Sequence, residues 1–336
     1  DNGHTLLANY YGTPSEIVTP LKSLQKRFGD KIKIDYYPGT DFVKPLEDAP
    51  SFGQIVSVAK KVDVIVFIGG ISADYEGEAS DAGAGGYAGF ASGDRTTMQL
   101  PSVQLKLLKA LEKTGRPLVL VNMSGSVINF EWENRHVDAI LQAWYGGQAA
   151  GDAIVDVLFG EYNPAGRMPL TTYRNDDDLP PFESYSMENR TYRYFKGEVR
   201  YPFGYGLSYT TFGYSDMECV SEVKTGKQLR VRVQVKNTGK RDGDEVVQLY
   251  VVHPQNGNVR IPLCSLKGFK RIALKAGEEQ AVTFLLSPED LALTDEKGNL
   301  VENAGEVELF IGGGQPAYSV GERVKLQITG DSYQVY

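Results

Sequence analysis

Two glutamates, Glu76 and Glu78, close the segment Gly69-Gly-Ile-Ser-Ala-Asp-Tyr-Glu-Gly-Glu78, with Asp74 and Tyr75 directly before them. A Gly/Ala-rich stretch comes next and ends at Gly93-Asp94-Arg95. Burial disfavours the charged form of a carboxyl group and can keep it protonated near neutrality. A carboxyl group so placed is a natural tool for protonating a glycosidic oxygen. Asp94 and Arg95 offer an ion pair that would anchor the far end of the loop. Taken alone, a Glu-x-Glu on such a scaffold also fits a solvated acidic loop. The Gly-Gly pair invites a nucleotide reading as well. No G-x-G-x-x-G enters a helix here, however, and no Walker A pattern is present; Gly83–Gly93 reads as a flap.

The loop has to be positioned by its flanking elements. Val62–Ile68 is a continuous β-branched run, which predicts a strand buried on both faces. Ligands in open α/β sheets bind outside the carboxyl ends of strands, where this loop begins. Pro101–Leu111 has apolar residues at helical spacing, with Pro101 suited to a first turn. Pro117–Asn122 and Ala139–Trp144 predict further strands, and Lys31–Tyr36 a short alternating one. Ser51–Lys60 and Gln148–Leu158 predict helices, the latter stopped by Gly160. Strand and helix in alternation imply an α/β fold, a mainly parallel sheet with helices on both faces.

From about Thr171 to Thr210 periodicity is lost, and Pro, Asp and Tyr dominate. After Phe212 the chain changes class. Gln228–Lys236 alternates strictly and ends in an Asn237-Thr-Gly turn. Glu245–Val252, Lys267–Leu274, Glu279–Leu286 and Val307–Gly312 continue the series. Such spacing predicts an antiparallel β-sandwich, and without paired cysteines flanking a Trp the fibronectin type III-like version is favoured. The resulting divisions are 1–170, an extended arm 171–212, and an all-β domain 213–336.

The remaining chemistry is sparse. The sequence has 336 residues, with 35 Lys and Arg against 43 Asp and Glu and a net charge of −8. That balance carries no basic face for nucleic acid. No apolar run reaches the length of a membrane span. Asp1 in place of Met predicts a processed or excised piece. The histidines His4, His136 and His253 lack metal-ligand spacing. Cys219 and Cys264 form no redox or metal motif and read as thiols rather than a disulfide. Ser124-Gly-Ser126 comes after a predicted strand but lacks the G-x-S-x-G nucleophile elbow, since Met123 precedes Ser124. No cofactor is indicated.

Across nearly its whole length the chain resembles the C-terminal half of glycoside hydrolase family 3, the β-glucosidase and β-xylosidase family. Asn9-Tyr-Tyr-Gly-Thr-Pro14 is similar to its N-Y-x-G-T-P stretch. Glu76-Gly-Glu78 resembles its acid/base loop, and Asp94-Arg95 with Leu100-Pro101-x-x-Gln104 resembles the D-R-x-x-x-x-L-P-x-x-Q motif after that loop. Gly147–Gly160 with Asn163-Pro-Ala-Gly-Arg167-Met-Pro169, Arg190–Phe195 and Tyr201–Tyr209 match further motifs in order. Asn237-Thr-Gly, Glu245–Tyr250 and Leu266–Arg271 match its fibronectin-like pattern.

The resemblance implies a retaining mechanism with two carboxylates about 5–5.5 Å apart. The family's nucleophile is an Asp on an N-terminal (β/α)₈ barrel of about 250 residues, of which nothing is present here. Glu78 is the implied general acid/base and Glu76 the reserve, with Asp74, Tyr75, Asp94 and Arg95 as candidates for the substrate loop. The chain departs from the family where a glycine-rich insertion separates Glu78 from Asp94. The implied partners are a β-linked oligosaccharide or glycoside and the barrel, in cis or as a separate piece. The implied location is extracytoplasmic, periplasmic or secreted. Without the barrel the polypeptide is expected to be inactive. The competing readings are a non-catalytic carbohydrate-binding or scaffold module on the same fold, and an unrelated nucleotide-binding α/β protein.

Overall fold

The computed structural model describes residues 1–9, 11–76, 86–91, 94–255 and 261–335. They form two compact units. One comprises Asp1–Tyr162 with Arg174–Asp176, the other Asn163–Tyr173 with Asp177–Tyr336. Most of the stretch expected as an arm, 171–212, thus belongs to the second unit.

The first unit is built on three parallel strands in the order β1-β2-β3: β1 Ile65–Gly70, β2 Leu118–Met123 and β3 Ala139–Gln142. In register, Ile65 stands opposite Leu118, and Val119 opposite Ala139. The central strand is the most buried, with Leu120 and Val121 fully enclosed, because it alone has a neighbour on each side. Among the described residues the longer helices of this unit are α1 Pro20–Phe28, α2 Phe52–Ala59, α3 Ser102–Glu112 and α4 Ala150–Phe159. Each starts or stops where local chemistry dictates. Thr19 accepts from the Lys22 amide at the start of α1, and Ser51 with Gln54 forms a capping box at α2. Pro101 occupies the cap of α3 rather than its first turn, and Gly160 closes α4 in the left-handed conformation. Helices α1 and α4 are joined by Ser23 Oγ donating to Asp152 at 2.6 Å and by Phe28 stacked on Phe159 at 4.0 Å.

Two expectations are corrected here. Lys31–Tyr36 belongs to no ladder. Val62–Ile68 does form most of β1, but as an edge strand whose Val64, Val66 and Ile68 are 50%, 36% and 41% exposed. Alternation and β-branching give a segment its extended backbone; whether a neighbour lies alongside is a tertiary matter.

The second unit is a sandwich of an antiparallel three-stranded sheet and a five-stranded sheet. Its main strands are β4 Phe212–Glu218, β5 Glu222–Lys224, β6 Leu229–Asn237, β7 Gly243–Val252, β8 Ser265–Leu274, β9 Glu279–Leu286, β10 Gly305–Gly312 and β11 Gly321–Thr329. They run in the orders β9-β6-β4 and β8-β7-β10-β11-β5. The strict alternation of β6 buries Val231, Val233 and Val235 completely against Leu249 of β7 and Leu309 and Ile311 of β10. Parts of 163–173 and 177–209 pack on these strands. Arg167 pairs with Glu245 at 3.1 Å with both side chains nearly buried, and Gln248 donates to the Gly204 carbonyl. Tyr192 stacks on Phe203 at 4.4 Å and accepts from the Leu266 amide. Both cysteines are free thiols, and burial pushes Cys264 up to about 12. Exposed Phe182 and Tyr185 interrupt this pattern.

Leu249→Ala should destabilise the second unit by about 2–5 kcal/mol, since the fully enclosed site cannot collapse around the gap; chemical denaturation measures it. Burial, with the Lys267 charge adding to it, pulls His253 from 6.5 down to about 4. The unfolded chain therefore binds a proton that the folded chain refuses between these values. Stability is fully present above pH 6.5 and falls as pH drops toward 4, by up to about 3 kcal/mol. His253→Gln should flatten that slope in denaturation series run at stepped pH.

Candidate active site

The carboxyl ends of the three parallel strands bring together residues that are far apart in sequence. β1 is followed by buried Ile71, whose amide still donates to the Met123 carbonyl at 2.9 Å, so the chain leaves the sheet in register. Ser72 then builds a tight turn. Its hydroxyl donates to Asp74 Oδ2 at 2.9 Å and accepts from the Asp74 amide, while its carbonyl accepts from the amides of Tyr75 and Glu76. This turn sends the Glu76 side chain back across the end of β2.

There Glu76 meets donors from three separate segments. Ser126, in the turn after β2, donates to Oε1. Arg95 Nη1 lies 3.5 Å from the same oxygen. Tyr145, just beyond β3, places its hydroxyl against the Ile71 carbonyl and 3.1 Å from Glu76 Oε2. The Glu76 and Arg95 side chains are only 13% and 12% exposed, so the pair is largely shielded from water. Arg95 is itself held from several sides. Nη1 donates to Ser126 Oγ at 3.1 Å, Nη2 donates to the carbonyls of Thr97 and Gln99, and the guanidinium stands over Phe90. Burial lowers the Arg95 pKa, and the Glu76 charge opposes it. Burial, then the Glu76 carboxylate, raises the Tyr145 phenol well above its ordinary value.

The turn between Ser124 and Ser126 needs a glycine. A Cβ on Gly125 would lie 2.9 Å from the Tyr145 ring and 3.5 Å from Glu76 Oε2, so a larger residue would push the tyrosine off the carboxylate. Asp176 supports the same neighbourhood by accepting from the Met98 amide at 2.8 Å, and Asn129 donates to the Arg174 carbonyl.

The other expected residues face elsewhere. Tyr75 donates to Asp41 at 3.0 Å and packs edge-on to Tyr87, and burial plus that carboxylate push it up to about 12. Asp74 lies 3.2 Å from His4 on an exposed surface. Asp94 is exposed and pairs along the backbone with Ala91. The expected Asp94–Arg95 ion pair is corrected: among the described residues Arg95 pairs with Glu76, because its long side chain crosses the loop base while Asp94 points the other way along the strand. Glu78 lies outside the described residues, as do both ends of Gly83–Gly93.

Ser126 and Tyr145 are the site residues that sequence reasoning missed. The Ser-Gly-Ser pattern raises Ser126 only as a nucleophile, and Tyr145 is one tyrosine among 20. Both nevertheless stand just past the carboxyl ends of predicted strands, the same position that marked the Glu76 loop. Among the described residues no three His, Cys, Asp or Glu side chains are grouped to hold a metal, and no helix is long and apolar enough to cross a membrane. Glu76 is thus held at the loop base by Ser126 and Arg95, with the Tyr145 hydroxyl close to its other oxygen.

If Glu76 and Arg95 act as one unit, Arg95→Met should destabilise the first unit by about 3 kcal/mol or more by stranding a shielded carboxylate. Adding Glu76→Gln should restore at least half of that loss. A double-mutant cycle by chemical denaturation measures the coupling.

Residues 1–209 match the glycosyl hydrolase family 3 C-terminal domain, and residues 245–315 a fibronectin type III-like domain. A xylan 1,4-beta-xylosidase of Xylanibacter ruminicola is 41% identical over 262 residues, covering 78% of this chain and 30% of that protein. A periplasmic beta-glucosidase of Salmonella typhimurium is 35% identical over 90% of this chain and 42% of its own length. The chain thus spans less than half the length of these curated relatives. Among solved structures, a family 3 beta-glucosidase of Bifidobacterium adolescentis superposes with a TM-score of 0.82 at 29% identity, over 97% of this chain and 47% of that one.

Proposed function

The chain belongs to glycosyl hydrolase family 3, as a C-terminal part, and on that premise we propose that it supplies the general acid/base to a retaining β-glycosidase. The acid/base is Glu78, with Glu76 as the reserve. The observation that carries the assignment is the engagement of Glu76 by Ser126, Arg95 and Tyr145. A carboxylate committed in this way to Ser126 and Arg95 supports giving the proton transfer to Glu78, two residues on in the sequence.

The nucleophile comes from a barrel domain outside this chain. In the first step its carboxylate attacks the anomeric carbon and the glycosidic C–O bond breaks. Glu78 gives its proton to the departing oxygen. In the second step Glu78 takes a proton from water, whose oxygen attacks the anomeric carbon and frees the nucleophile. The substrate is a β-linked xyloside or glucoside, the two classes that the relatives' names carry. The site works outside the cytoplasm, in keeping with the periplasmic relative. The polypeptide by itself is inactive, since removing one member of a catalytic pair costs orders of magnitude in rate.

In the full-length protein, Glu78→Gln should depress hydrolysis of a substrate with a poor leaving group by about 10²–10⁴-fold. Glycosyl transfer from an activated aryl glycoside should be spared, and added azide should be captured as a glycosyl azide. Glu76→Gln should lower both substrates alike through a misplaced loop. The reverse pattern would move the assignment to Glu76. Full activity in both variants would favour a non-catalytic carbohydrate-binding or scaffold module.

A further inference from the structure

β2 carries one residue for which a buried strand has no use. It reads Leu-Val-Leu-Val-Asn-Met, and Asn122 is fully enclosed between Val121 at 0% and Met123 at 5% exposure. A buried amide costs free energy unless it is hydrogen-bonded, and an aliphatic side chain of similar size makes no such demand. The demand is only partly met here. Asn122 Oδ1 and Gln142 Nε2 have no partner among the described residues. Stability alone therefore does not account for an asparagine at this position.

Its donor side, by contrast, is fully used. Asn122 stands in register opposite Gln142 of β3. The Nδ2 group donates to Gln142 Oε1 at 2.7 Å and to Ser124 Oγ at 2.8 Å. Ser124, also without exposure, donates in turn to the Ser126 carbonyl at 2.9 Å. Ser126 Oγ then donates to Glu76 Oε1 and accepts from Arg95 Nη1 at 3.1 Å. A continuous series of polar contacts thus runs from β3 to the carboxylate, with the Ser126 residue itself as the one covalent link.

The series has a direction. A serine hydroxyl has one hydrogen to give, and Asn122 takes up one of the Ser124 lone pairs, so that hydrogen is free to reach the Ser126 carbonyl. With the amide reversed, Asn122 Oδ1 would take the Ser124 hydrogen and the carbonyl would be released. Gln142 Oε1 accepts from Nδ2 and so keeps the amide the right way round. The direction matters because Gly125 separates the two serines, and a glycine left to itself samples many backbone states. The bond from Ser124 to Ser126 ties the turn across that glycine.

We propose that Asn122, Ser124 and Gln142 are positioning residues, which orient the Ser124-Gly-Ser126 turn so that Ser126 meets Glu76 and, through Glu76, serve the general acid/base. This gives the Ser-Gly-Ser pattern a role other than a nucleophile's. The part that concerns catalysis rests on the acid/base reading above; the part that concerns Ser126 and Glu76 does not.

The test cuts the series at Ser124, where alanine removes a single hydroxyl. The Glu76–Arg95 coupling constant, from the Glu76→Gln and Arg95→Met denaturation cycle, should fall at least about tenfold in a Ser124→Ala background. Gln142→Leu, a cut at a less buried residue, should lower it in the same direction. A constant unchanged in both backgrounds would overturn the proposal whatever the rates do. In the full-length protein, Ser124→Ala should lower kcat per folded molecule by about tenfold on a substrate with a poor leaving group, with KM within about twofold. Added to Glu76→Gln, it should cost no more than about a further twofold, because both changes interrupt one series. Losses that multiply in the double variant would also overturn it. A Glu76→Gln variant with unchanged kcat would sink the acid/base reading and not this proposal, which the coupling constant then decides.

Discussion

The ion pair between Glu76 and Arg95 ties together two points of the chain that no strand or helix connects. Glu76 leaves the sheet on the turn built by Ser72, and Arg95 returns on the short strand opposite Phe90. Where the two meet beneath Ser126 and Tyr145, the residues that bracket the segment 77–94 are held together at the end of the sheet. Loop closure of this kind grows only slowly in cost with length, so an anchored base accommodates an insertion that an unanchored one would scatter. The glycine-rich insertion that departs from the family pattern falls in the sequence between these two residues.

The anchor works because it is shielded. An exposed pair at this distance would contribute little, and salt would screen it. Here the guanidinium is also committed to two carbonyls and a serine, so its position is set before the carboxylate arrives. Parallel strands supply the setting. Their carboxyl ends all open to one side, and β1, β2 and β3 each contribute one participant soon after the strand: Glu76, Ser126 and Tyr145. The second unit uses buried charge in a different way. Arg167 and Glu245 hold the stretch after Asn163 onto the sandwich, where alternating valines already make the core. Burial raises Glu245 against the pull of Arg167, which leaves this pair to fix a position rather than to stabilise strongly.

Much of the fold was legible in the sequence because it rests on local chemistry. Helix α2 begins where a serine and a glutamine three residues on can form a capping box, and β6 arises from the alternation of Val231, Val233 and Val235. The acidic loop could be placed because a β-branched run ends just before it. The less legible parts were those set by distant partners. Lys31–Tyr36 has a strand's alternation and no strand beside it, and β1 has an interior strand's composition at an edge. A single strand's pattern records which faces are apolar, not how many neighbours it has.

The amino-acid sequence by itself determined the fold class of both parts and the family. Those rest on periodicity, turn residues and motif order, all written along the chain. Only the tertiary structure decided that Arg95 answers Glu76 rather than its neighbour Asp94, and that Ser126 and Tyr145 complete the holding site. The reason is geometric. Adjacent residues on a strand point to opposite faces, whereas the ends of parallel strands bring together side chains that lie 50 and 69 residues from Glu76 in sequence.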